Sequence, residues 1–245
     1  MSQLILIRHG QSTWNAQGRF TGWVDVPLSR EGRDEARRAA AKLSPYRIDI
    51  CFTSLLIRAI ETAVICLTEC EGTCGLKSPV LRHEADDSDW QGWDSYQGDP
   101  DREMPVYLCR ALDERCYGSL QGLNKAKTVR DMGEETVRRW RRSYASRPPG
   151  GESLQDNAAR TVPFFRSRIL PNLQNGENAL VAAHGNSLRS IVMTLDGLSE
   201  EEVPNLELST GVPIVYQLDA KGRVMDKAIL DDSVEDPVMA ATGSA

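Results

Sequence analysis

The chain has 245 residues, 35 acidic against 29 basic, with a net charge of −6 and only 3 histidines. That length suffices for one domain with a full core, and the acidic balance without a basic patch argues against nucleic acid as a general partner. No apolar run approaches the roughly 20 residues of a membrane helix, and the first residues lack a basic leader with a small-residue cleavage site, so a cytoplasmic protein without membrane contact is expected.

Residues 4–7, all apolar, form a short buried strand that runs into Arg8-His9-Gly10. A loop follows to Pro27. Ser29 is the expected N-cap of a helix whose apolar stripe is Ala36, Ala39, Ala40 and Leu43. Residues 48–53 form a second strand, and Ser54 is expected to cap a helix with Leu55, Ala59, Thr62, Ala63, Cys66 and Leu67 inward. Cys66, Cys70 and Cys74 share a helical spacing, but with no nearby histidine the spacing favours packing over a metal site. The six cysteines contain no CxxC pair and are read as reduced.

Residues 69–105 break this pattern. Glycines, prolines and a series of aspartates remove any periodicity, which predicts an acidic surface insertion, with a short ordered piece around Trp90 and Trp93. Order resumes at 106–112, followed by Asp113-Glu114-Arg115-Cys116-Tyr117-Gly118 and a polar helix over 129–144. Pro148-Pro149-Gly150-Gly151 is a break, after which Ser153 and Asp156 resemble a capping box for a helix running toward Leu170. Residues 180–183 are a third strand, entering His184-Gly185-Asn186; a helix over 187–195 stops at Gly197, and 214–218 form another strand. The tail from about 231 is expected to be flexible. Alternation of strands and helices predicts an α/β fold, a three-layer sandwich with a mostly parallel sheet flanked by helices on both faces, in a single domain.

Two histidines thus leave apolar strands in the same His-Gly frame, where open α/β sheets keep their chemistry. Neutral imidazole is a nucleophile near neutral pH, and Arg8 and Arg58 supply planar forks that grip phosphate oxygens. Backbone N–H groups at the helix starts after Ser54 and Gly185 add partial positive charge. The combination describes a phosphate site that needs no metal.

The string Arg8-His9-Gly10-Gln11-Ser12-Thr13-Trp14-Asn15 resembles the RHG signature of the histidine phosphatase superfamily. Arg19-Phe20-Thr21-Gly22-Trp23, Leu112-Asp113-Glu114-Arg115, Leu120-Gln121-Gly122-Leu123-Asn124-Lys125, Trp140-Arg141-Arg142-Ser143, Ala183-His184-Gly185-Asn186 and Thr210-Gly211-Val212-Pro213 are similar to the cofactor-dependent phosphoglycerate mutases. The resemblance spans about 4–218, the acidic insertion excepted. It implies His9 as the phosphorylated nucleophile, Glu114 as general acid and base, and His184 as a stabiliser of the transferring group. It implies a phosphate pocket from Arg8, Gly10, Gln11, Ser12, Thr13, Trp14, Asn15, Arg58, Gly185 and Asn186. Thr21, Gly22, Arg115, Cys116, Tyr117, Lys125, Arg141 and Arg142 would hold the glycerate carboxylate and second phosphate.

The implied reaction interconverts 3- and 2-phosphoglycerate through phosphohistidine, with 2,3-bisphosphoglycerate as priming donor and intermediate, no metal, and small phosphorylated three-carbon acids as partners. A homo-oligomer is compatible with the sequence. The competing readings are a broad histidine-type phosphatase, a bisphosphoglycerate synthase and a fold-retaining regulatory binding protein. The chain departs from the family pattern at Cys116, in the brief 143–151 connection and in the 69–105 insertion.

Overall fold

A computed structural model describes residues 1–70, 72, 76–83, 96 and 98–231. The elements in chain order are β1 (Ser2–Arg8), α1 (Thr13–Ala16), α2 (Arg30–Leu43), β2 (Ile50–Thr53), α3 (Ile57–Thr68), β3 (Ser78–His83), β4 (Glu103–Leu108), α4 (Lys125–Met132) and α5 (Glu134–Arg142). They continue with α6 (Leu154–Phe164), α7 (Leu170–Gln174), β5 (Ala179–Ala183), α8 (Gly185–Asp196), β6 (Pro213–Leu218) and β7 (Val224–Ile229).

The strands form one seven-stranded sheet, in order β3-β4-β2-β5-β1-β6-β7. The pairs from β3 through β1 are parallel, while β6 and β7 add antiparallel. Alternate side chains divide the core as the pleat requires. Ile5, Ile7, Cys51, Leu180 and Ala182 meet α2 and α3 through Ala39, Ala40, Leu43, Ala63, Cys66 and Leu67. Leu4, Leu6, Phe52, Val181, Ala183 and Tyr216 meet Phe165, Ile169, Leu173, Leu188, Ile191 and Val192 on the other face. The three-layer α/β sandwich expected from the alternating pattern is the observed architecture. No described helix is long and apolar enough to cross a membrane.

Ser29 caps α2 by accepting the Gly32 N–H, and Ser153 and Asp156 form the reciprocal capping box of α6. That helix passes through a π-helical turn (Phe165–Ile169) into α7, so the run toward Leu170 is not uniformly α-helical. Gly197, at φ 67°, ends α8.

Three expectations are corrected. Ser54 does not cap α3, whose N-cap is Leu56; its hydroxyl lies 2.7 Å from His184 Nε2 instead. The polar helix over 129–144 is two helices, separated by Gly133 at φ 86°, ψ 142°. The region 69–105 is not featureless, since β3 and the start of β4 lie within it and pair in parallel. An edge strand reading Ser-Pro-Val-Leu-Arg-His, mostly half-buried, carries too little apolar alternation to announce itself. Edge strand β7, largely exposed, was not foreseen for the same reason. Cys66 and Cys70 are buried in the core as packing groups, whereas Cys74, Trp90, Trp93 and the tail beyond Asp231 lie outside the described residues.

Candidate active site

Strands β1 and β5 are parallel neighbours with Arg8 opposite Ala183, and the His9 N–H donates to the Ala183 carbonyl at 2.9 Å. The two His-Gly frames are therefore adjacent ends of one ladder. Their rings stand 4.9 Å apart between centroids, inclined at 63°. Thr53, ending β2, donates its hydroxyl to the Ala182 carbonyl, which brings Ser54 to the same end of the sheet.

His9 Nδ1 lies 2.6 Å from the Gly10 carbonyl. A carbonyl only accepts, so Nδ1 carries the proton and Nε2 keeps its lone pair. Arg58 Nε donates to that Nε2 at 3.3 Å, while its other nitrogens donate to the Val24 and Gly22 carbonyls. Burial, followed by Arg58 and Arg8, holds His9 well below the usual imidazole value; His184 is lowered in the same direction, by burial first. Both rings are neutral at pH 7. Arg58 is itself lowered to about 10 by burial and stays charged. The backbone is tight below the nucleophile: a Cβ on Gly10 would lie 2.1 Å from the Gly32 carbonyl oxygen, which is why glycine follows the histidine.

Glu114 reaches the site from the loop after β4. Its Oε1 accepts from Asn186 Nδ2 at 2.7 Å and from the Arg115 N–H at 2.7 Å. Burial raises this carboxyl, but those donors, with Arg58 and Arg8, outweigh it and leave the group below its ordinary value. Glu114 is ionised at neutral pH.

The cleft holds about 400 Å³ including its open mouth, and is lined by Arg8, His9, Asn15, Arg19, Phe20, Thr21, Gly22, Arg58, Glu114, Tyr117 and Lys125. Lys125 is lowered by burial and by nearby Arg141. Arg8 Nε and Thr21 Oγ1 are buried there without a hydrogen-bond partner among the described residues, and Arg115 Nε and Nη1 share that condition behind Tyr117. Orphaned donors of this kind suit an anion. Arg19, exposed and 6.0 Å from the Trp14 ring, is a lining cation absent from the sequence-based set. Its place after the 13–16 turn was the available signal.

The remaining candidates shape the walls. Ser12 caps α1 by accepting from the Asn15 N–H, and Thr13 donates its N–H to the Pro27 carbonyl. Gln11 accepts from the Ser29 hydroxyl, away from the lining set. Gly185 is flanked by Arg8 and Arg189. The Cys116 N–H donates to Glu152 and its thiol packs beside Gln121. Arg141 is an exposed residue of α5. Arg142 lies apart from the others: its guanidinium bonds the Glu207 carboxylate and the Pro204 carbonyl and is not among the residues that line the cleft. Those acceptors come from the segment before β6, which sequence spacing could not bring to α5. Among the described residues no group of histidine, cysteine, aspartate and glutamate is arranged to hold a metal.

The model of the histidine phosphatase superfamily (branch 1) matches residues 4–97 and 97–229. The 2,3-bisphosphoglycerate-dependent phosphoglycerate mutase 1 of Gloeobacter violaceus is 62% identical over 94% of this chain and 99% of its own. The mutase of the same description from Gloeothece citriformis is 60% identical over 94% and 100%, and that of Chlamydia pneumoniae 50% over 89% and 94%. Among solved structures, the alpha-ribazole phosphatase from Shigella flexneri superposes with a TM-score of 0.68 at 21% identity, covering 91% of this chain and 93% of its own. A mycobacterial glucosyl-3-phosphoglycerate phosphatase does so at 0.65 and 24%, covering 89% and 93%. These two likenesses concern the fold.

Proposed function

The chain belongs to the histidine phosphatase superfamily and, within it, to the 2,3-bisphosphoglycerate-dependent phosphoglycerate mutases; from that membership we propose that it interconverts 3- and 2-phosphoglycerate. The observation that carries the reading is one cleft holding a neutral His9, an ionised Glu114 and a cationic lining of Arg8, Arg19, Arg58 and Lys125. A lone phosphate needs fewer cations. A bisphosphorylated acid fits the donor set, including the orphaned Arg8 Nε and Thr21 Oγ1. When bound, 2,3-bisphosphoglycerate supplies the phosphoryl group that charges His9.

His9 acts through Nε2, because Nδ1 is committed to the Gly10 carbonyl. In one half-reaction the Nε2–P bond of charged His9 breaks as a substrate hydroxyl oxygen bonds to phosphorus, and the hydroxyl proton passes to Glu114. In the other, Nε2 takes up a phosphoryl group and Glu114 returns its proton to the oxygen left behind. Arg8 and Arg58 face the charge that spreads over the transferring oxygens, and His184, held by Ser54, stands beside the His9 ring. Thr21, Gly22, Tyr117 and Lys125 orient the rest of the substrate. No step calls on a metal.

The test is interconversion of the two phosphoglycerates, with and without catalytic bisphosphate, followed beside phosphate release. Interconversion that outruns release and responds to the bisphosphate is expected; release alone would make the protein a phosphatase. His9→Ala should lose turnover and the acid-labile, base-stable phosphoenzyme together, and retained turnover would remove His9 from its role. Activity should persist in a chelator, and a loss restored by manganese would contradict the scheme.

A further inference from the structure

The loop that carries Glu114 has almost no backbone ladder of its own, yet its carbonyls face α6, where one guanidinium gathers them. Arg160 Nη1 donates to the carbonyls of Arg110 (3.2 Å) and Ala111 (2.9 Å), and Nη2 to those of Asp113 (2.9 Å) and Glu114 (3.0 Å). Glu152 accepts from Arg160 Nε at 3.3 Å and Nη2 at 3.1 Å, and the same carboxylate accepts the Cys116 N–H at 2.9 Å. The Arg160–Glu152 pair thereby grips the chain on both sides of Glu114. Neighbours on α6 complete the grip: Asn157 Nδ2 donates to the Asp113 carbonyl and Thr161 to that of Ala111. From the opposite side Trp23 Nε1 donates to the Glu114 carbonyl at 2.6 Å.

We infer that Arg160, braced by Glu152, is a positioning residue for Glu114, setting where its carboxyl meets the oxygen that gains or loses a proton. The inference rests on the proposed role of Glu114. A planar fork with several donors is suited to the task because it fixes direction as well as distance, whereas an ammonium supplies a point charge. The carboxyl itself is anchored through Oε1 by Asn186 and the Arg115 N–H, so a backbone shift at 113–115 would move the anchored group as a whole. Misplacement of about 1 Å costs on the order of a hundredfold in such steps.

Proton demand separates this role from a merely structural one. When an alkyl phosphate such as 2,3-bisphosphoglycerate charges His9, the P–O bond breaks, the P–Nε2 bond forms and the departing alkoxide needs a proton. Glu114 delivers it once the bound anion offsets the cations that otherwise keep the carboxyl ionised and it has taken a proton from solvent. Nitrophenolate, leaving from p-nitrophenyl phosphate, keeps the electron pair without one. The ratio of aryl-phosphate to alkyl-phosphate charging rates therefore reads proton delivery, and a general fall in folded enzyme leaves it unchanged. The test compares wild type, Arg160→Gln, Arg160→Lys, Glu152→Gln and Glu114→Gln by rapid-quench phosphoenzyme formation with each donor. The expected result is a ratio raised about a hundredfold in Glu114→Gln and Arg160→Gln, and by less in Arg160→Lys and Glu152→Gln. A raised ratio in Glu114→Gln with wild-type ratios in both Arg160 variants overturns the positioning role. An unchanged ratio in Glu114→Gln overturns the proton role on which it rests.

Discussion

His9 and His184 are buried bases kept neutral inside the fold, which ties folding to acidity. Below about pH 6.5 the unfolded chain takes up imidazole protons that the folded chain refuses, so their contribution is fully present above that value and declines as pH falls, by at most about 1.4 kcal/mol per histidine per pH unit. Asp113 opposes them. Burial raises its carboxyl to about 6 against an ordinary 3.8, so its contribution is largest in acid and is lost as pH rises through 6. Two histidines outweigh one carboxyl, and the urea midpoint should fall between about pH 7.5 and 5.5. Asp113→Asn, which keeps an acceptor for the Leu55 N–H, should steepen that fall; a flat profile in both proteins would contradict the assigned charge states. At this same scale the sequence was most informative where side chains leave strand ends. His9, Arg8, Arg58 and Glu114 all line the cleft, whereas Arg142 pairs with Glu207, whose approach depends on a segment 65 residues away.

Among elements, the pair α4 and α5 shows how a backbone requirement shapes a wall of the cleft. Gly133 joins them in a conformation open only to glycine, with nothing within 4 Å of where a Cβ would stand. Gly133→Ala should therefore destabilise by about 1–3 kcal/mol through the backbone alone, measurable as a lowered urea midpoint, and an unchanged midpoint would show that the helices adjust freely. Ser153→Ala should cost about 1 kcal/mol by removing the cap of the helix that carries Arg160, and no loss would mean that packing alone sets its start. Elements were legible in proportion to burial. Central strands β1, β2 and β5 are built on buried apolar runs, whereas β3 and β7 close the two edges with more exposed sequences in which apolar and polar residues are mixed. The break at Gly133 was equally hidden, since one glycine between polar helical segments also occurs within a single helix.

Over the whole molecule, a net charge of −6 coexists with a cleft lined by arginines and a lysine. Local cations in a partly enclosed cleft attract an anionic substrate despite the repulsive average, and mobile ions screen that attraction over roughly 8 Å at physiological ionic strength. With phosphoglycerate, kcat/KM should drop severalfold from low to high potassium chloride while kcat changes less; a parallel drop in both would point instead to a salt effect on the chemical step. The two imidazoles are set by something more general. Their centroids are 4.9 Å apart, close to the roughly 4.8 Å at which hydrogen-bonded strands repeat. The placement of the pair thus follows from the ladder that joins β1 and β5, so changes in the surrounding loops can alter which molecule is accepted without moving the two rings relative to each other.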